Sequence, residues 1–72
     1  LSGAQRRYEI ALEIIKALVA RNSENDELQR ELGVSQTNLG QVLLAQGDLA
    51  GARQCYEVDL RISEELASRY PG

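Results

Sequence analysis

Residues 39–57 read LGQVLLAQGDLAGARQCYE, and the QGD at 46–48 divides the stretch in two. Before the break, Leu39, Val42 and Leu43 fall at helical spacing; after it, Ala52 and Tyr56 fall four apart. Gly47 suits the left-handed residue that closes a helix, and Asp48 carries a side-chain oxygen able to cap the next one. So short a connection makes the two flanking helices antiparallel neighbours.

Working outward, Ala, Leu, Glu, Gln and Arg dominate the rest of the chain, and all are good helix formers. The pattern predicts a first helix over 2–21, a second over 26–46 and a third over 49–69, stopped by Pro71. On the first, Ala4, Tyr8, Ala11, Ile15 and Leu18 form one apolar face. Ile10, Ile14 and Ala17 form a second, so this helix is expected to be buried between two neighbours. NSEND at 22–26 supplies the next cap, either Asp26 with Gln29 in a capping box or Asn25. Leu28, Leu32, Leu39, Val42 and Leu43, with Ser35 in the same stripe, carry the inner face of the second helix. Ala52, Tyr56, Leu60, Ser63 and Leu66 carry that of the third, flanked by Val58, Ile62 and Glu65. Gly33 and Gly40 sit inside the second helix, where glycine is unfavourable by about 1 kcal/mol relative to Ala. Two turns apart, they read as places where another helix approaches closely rather than as hinges.

The chain also repeats. Shifted by 48 residues, LSGAQRRYEIALEIIKALVAR falls on LAGARQCYEVDLRISEELASR with nine identities in 21 positions and no gap. The matched residues include Ala4 with Ala52 and Tyr8 with Tyr56. Repetition at a fixed period of this size marks a solenoid.

Asn38-Leu39-Gly40, Leu43, Gln46-Gly47-Asp48 and the pair Ala52 and Tyr56 together resemble the tetratricopeptide repeat. Leu39, Gly40, Ala52 and Tyr56 match the family pattern. Gln36 stands where Trp is usual, Leu43 where Tyr is usual, and Glu64 where a helix-ending Pro is usual. The longer period is similar to a long-helix variety of the repeat. The resemblance implies an all-α fold of antiparallel helix-turn-helix repeats in an α-solenoid, about one and a half units in three helices. Residues 1–21 would be the second helix of a preceding unit, and 26–46 with 49–70 one complete unit. Ala4, Tyr8, Leu39, Gly40, Ala52 and Tyr56 would pack the repeats together, the tyrosines filling space between units.

The chemistry of the sequence is sparse. There is no His, and the single Cys55 has no base to activate it, so it reads as a packing thiol. No catalytic set, metal cluster or phosphate loop is expected, and no cofactor. With 8 Lys and Arg against 11 Asp and Glu, net charge −3, the chain has no basic footprint for nucleic acid. Arg6-Arg7 reads as a solvated face, and Tyr70 as a free aromatic resting on the last turn. Apolar runs such as ALVA at 17–20 are far too short for a membrane span. No secretory signal is visible, and a lone cysteine fits a reducing, cytoplasmic setting.

What remains is binding. In the resembled family the first helix of each unit lines a concave groove for peptides. Carried onto this chain, the candidates are Val34, Thr37, Asn38, Gln41, Leu44 and Ala45, which are uncharged. The same residues also fit contact with a further helix in a stack. Arg30 alone supplies no clamp for a terminal carboxylate. The expected function is a non-catalytic protein-interaction scaffold. Because the chain opens inside the pattern, it reads as a piece of a longer array whose unpaired helix faces self-associate into a homo-oligomer. The alternatives are a regulatory or linker segment of a larger enzyme or signalling protein, and a free-standing three-helix bundle with no binding role.

Overall fold

The computed structural model describes residues 2–70. Among them there are three helices: α1 over Ser2–Arg21, α2 over Asp26–Ala45 and α3 over Leu49–Arg69. α2 lies in the middle and packs on both others. The result is a single layer, 38 × 23 × 15 Å, in which each outer helix has one helical neighbour.

Local chemistry sets the helix ends. Asn25, extended at φ −82°, ψ 103°, is the N-cap of α2, and its Oδ1 accepts from the Leu28 N–H at 3.1 Å. Of the two candidate caps, Asn25 holds the position. Asp26 is the first helical residue, and Gln29 donates to the Ser23 carbonyl instead of closing a capping box. α2 ends at Ala45, one residue before the expected Gln46, which is its C-cap. Gly47 then takes φ +85°. The Gly47 N–H donates to the Leu44 carbonyl at 3.0 Å, and the Asp48 N–H to the Leu43 carbonyl at 2.9 Å. This is the paired closure of a Schellman motif, which satisfies two otherwise orphaned carbonyls. Asp48 caps α3 by accepting from the Gly51 N–H at 2.9 Å. The expected stop at Pro71 lies outside the described residues.

The core is small and centred on α2. Leu12, Ile15, Leu39 and Cys55 are buried together, with Tyr8, Val19, Leu28, Leu32 and Leu43 partly buried against them. Ala52 is the most enclosed, at 2% exposure. The glycines explain how α2 and α3 come so close. A Cβ on Gly40 would lie 3.2 Å from Cys55 Cβ and from the Tyr56 ring. One on Gly33 would lie 2.5 Å from Asp59 Oδ1. Both α2 glycines face α3: a Cβ at Gly33 would push the Asp59 carboxylate aside, and one at Gly40 would crowd Cys55 and the Tyr56 ring.

Two expectations about faces are corrected. On α1, Leu12 and Ile15 are buried, while Ala4, Ala11 and Leu18 are exposed. Ile10 and Ile14 are 50% and 58% exposed. α1 is covered on one side by α2, and nothing in the described chain covers the other. On α3, Leu60 and Ser63 are exposed, and Cys55 and Asp59 turn inward in their place. α2 meets α3 along one flank of the stripe that periodicity picked out, the side that carries Ile62.

Candidate functional site

The 48-residue shift makes α1 and α3 equivalent, yet α2 covers different arcs of them. On α1 it covers Tyr8, Leu12, Ile15 and Val19. Their counterparts on α3 are Tyr56, Leu60, Ser63 and Ala67; the last three are exposed and Tyr56 is half-buried. On α3 it covers Ala52, Cys55, Asp59, Ile62 and Leu66 to varying degrees. The counterparts Ala4, Arg7, Ala11, Ile14 and Leu18 are all exposed on α1. Each outer helix therefore displays the face that its twin buries.

Concavities border α2 on both of its flanks. Between α1 and α2, an open groove of about 520 Å³ is lined by Ala11, Ile14, Ile15 and Leu18 against Glu31, Val34 and Ser35. Between α2 and α3, a groove of about 380 Å³ runs along Asp59, Ile62, Ser63 and Leu66, facing Arg30, Val34, Thr37 and Asn38. The two floors are equivalent residue for residue under the shift, but Ala11 and Ile15 have become Asp59 and Ser63. A third, more apolar shelf near the α2–α3 turn carries Leu44, Leu49, Ala52, Tyr56 and Leu60, with Arg53 and Glu57 at its edge. Leu49 and Leu60 there are 65% and 58% exposed.

The predicted groove residues divide among these places. Val34, Thr37 and Asn38 come together in the α2–α3 groove, and Val34 also borders the α1–α2 groove. Leu44 stands apart on the apolar shelf. Gln41 and Ala45 are exposed on α2. Of the predicted packing residues, Leu39, Gly40 and Ala52 are buried, Tyr8 and Tyr56 half-buried and Ala4 exposed.

Sequence reasoning missed Asp59. Its Oδ2 accepts from the Thr37 hydroxyl at 2.6 Å, and its Oδ1 sits in the space left by the absent side chain of Gly33. The signal lay in the differences within the repeat: Ala11 has become Asp59 on an otherwise matched helix.

A second polar cluster ties the far ends of α2 and α3. The Tyr70 hydroxyl donates to Asp26, and Arg69 Nη1 meets the same carboxylate at 2.6 Å. Arg69 Nη2 also reaches Glu65 at 2.9 Å. Tyr70 thus bridges to α2 rather than resting on its own last turn. The hydroxyl of Tyr70 above all holds the Asp26 carboxyl below the usual carboxylate range; desolvation opposes it, and the charge of Arg69 adds to it. The Asp26 carboxylate in turn raises Tyr70. Burial pushes the Cys55 thiol up, away from the nucleophilic thiolate.

The paired α2–α3 hairpin, with Gly40 under Tyr56 and a glycine closing the turn, is the geometry of a helical repeat. The sequence profile of the tetratricopeptide repeat matches residues 32–69, more than half of the chain. The chain belongs to the tetratricopeptide repeat family. No curated protein and no solved structure matches it. The tetratricopeptide match runs from Leu32 in α2 to the last residue of α3 and takes in the whole close-contact seam. Repeats of this family are interaction modules. Among the described residues no helix is long and apolar enough to cross a membrane.

Proposed function

We propose that this tetratricopeptide module is a non-catalytic, self-associating protein-interaction scaffold. Residues 26–46 and 49–70 act as one unit, and 1–21 as the second helix of a preceding one. The observation that carries this reading is the exchanged burial of α1 and α3: residues that α2 covers on one helix stand open on the other. Solenoid units bury their apolar faces by stacking, and three or so are needed for stability. The open faces, Ile10, Ile14 and Leu18 on α1 and Leu49, Leu60 and Tyr56 on α3, are where further helices dock. The exposed side of α2, with Val34, Thr37, Asn38, Gln41, Leu44 and Ala45, is the place for a peptide from a partner. A buried thiol whose pKa is raised supports a structural rather than reactive Cys55.

Light scattering over a concentration series tests self-association. The chain should exceed its monomer mass at tens of micromolar, and Leu60→Glu should lower that mass while helicity by circular dichroism is kept. A wild-type chain that stays monomeric across the series would sink the self-association reading.

A further inference from the structure

Along the arc that α2 covers on α3 and leaves open on α1, the two helices differ at two charged positions, and the differences are complementary. On α1, Arg7, Ile10, Ile14 and Leu18 are all exposed and lie three and four residues apart, one stripe of the helix. Arg7 is the only charge in that stripe, and it makes no ion pair among the described residues. Its counterpart under the shift is Cys55, a buried residue of the core. On α3, the groove floor holds Asp59 where α1 has Ala11. Asp59 is half-buried, with the Thr37 hydroxyl as its one hydrogen-bond donor among the described residues. Arg30 lines the same groove, but it forms no ion pair with Asp59 and its charge acts on Asp26 at the far end.

We propose that the outer face of α1 in one copy docks on the α2–α3 groove and shelf of the next, with Arg7 paired to Asp59. This rests on the self-association reading and names its two surfaces. The register follows from helix geometry. With α1 antiparallel to the α3 it meets, Arg7 to Leu18 spans about 16 Å and Asp59 to Leu49 about 15 Å at the α-helical rise. Arg7 opposite Asp59 therefore sets Ile10 against Tyr56 and Ile14 against Ala52, and brings Leu18 to the start of α3 at Asp48, beside Leu49. In the other direction Gly3 passes over Ser63. Arg53 and Glu57 at the shelf edge are already paired with each other at 3.2 Å.

A copy of α2 is the rival occupant, since α2 covers the equivalent face of α1. It would bring Glu31, Val34 and Ser35 to the groove, as it does against Ala11. That set brings no cation of its own to Asp59 and adds a like charge, an unfavourable burial. The α1 face brings the cation. Because the two surfaces lie on opposite outer helices, the contact is heterologous and does not close on itself, so copies add in a row.

Sedimentation velocity over a concentration series tests the pairing, with folding checked by circular dichroism. The wild type should grow in mass with concentration without stopping at a dimer. R7E changes an exposed residue outside the core, and D59K places a cation in the groove. Each alone should weaken association at least about tenfold through like-charge contact. An equimolar mixture of the two should regain it, because every junction between unlike copies then joins opposite charges. If D59K does not fold, the cycle of R7Q, D59N and their double takes its place, D59N keeping an acceptor for Thr37. There the double should be no weaker than either single. A wild type that stays monomeric removes the self-association reading itself. A wild type that associates while R7E associates equally well, or a mixture that fails to regain mass, overturns only the Arg7–Asp59 pairing.

Discussion

α1 and α3 are nearly the same helix placed in opposite circumstances. Leu12 is 6% exposed and its counterpart Leu60 is 58% exposed; Ala52 is 2% exposed and its counterpart Ala4 lies open. Identical residues at identical helical phase thus play opposite parts. The difference lies in which side α2 approaches from, since α2 is the second partner of one helix and the first partner of the other. A side chain's contribution to stability follows the neighbour that covers it, not its own identity.

The largest test of that comparison truncates the matched leucines. Leu12→Ala should destabilise the chain by about 2–5 kcal/mol through lost burial and a cavity, enough to unfold a domain of this size. Leu60→Ala, at concentrations where the chain is dispersed, should move the urea midpoint little. Equal effects would break the exchanged-burial picture.

Next in size is the matched pair of alanines. Ala52→Leu forces bulk into the seam beside Gly40 and should cost about 1–3 kcal/mol. Ala4→Leu adds bulk to open space and should stay within about 0.5 kcal/mol, as exposed substitutions usually do. Thermal melts of the two variants side by side measure the contrast.

The smallest effect separates the matched arginines at the helix ends. Arg69 is held by Asp26 with Tyr70, whereas Arg21 forms no ion pair among the described residues. The Asp26 carboxyl is held below its unfolded value, so its contribution is present above the ordinary carboxylate range. That contribution is lost as pH falls through the folded value. Asp26→Asn should flatten the fall in urea midpoint below about pH 4. Arg21→Ala should leave the profile as it is.

Much of this was legible in the residues. Helix extents, the turn at Gly47 and Asp48, the close approach at Gly33 and Gly40 and the repeat itself all rest on local rules. A left-handed glycine, a capping oxygen and a missing Cβ mean the same thing wherever they occur. The buried faces were less legible, because α1 has apolar residues almost all round and periodicity cannot say which arc meets a neighbour. The candidate groove was legible in part. Val34, Thr37 and Asn38 do share a groove, but Asp59 on its opposite wall is polar and sits on α3, so no apolar pattern could point to it.

By itself the sequence determined three helices, their ends and the equivalence of the first and last, since hydrogen bonds within a helix and at its caps involve residues a few positions apart. Only the tertiary structure decided which twin face is covered, that Asp59 is seated between Gly33 and Thr37, and that Tyr70 closes on Asp26. Those depend on contacts between residues 22 to 44 positions apart, which no local pattern encodes.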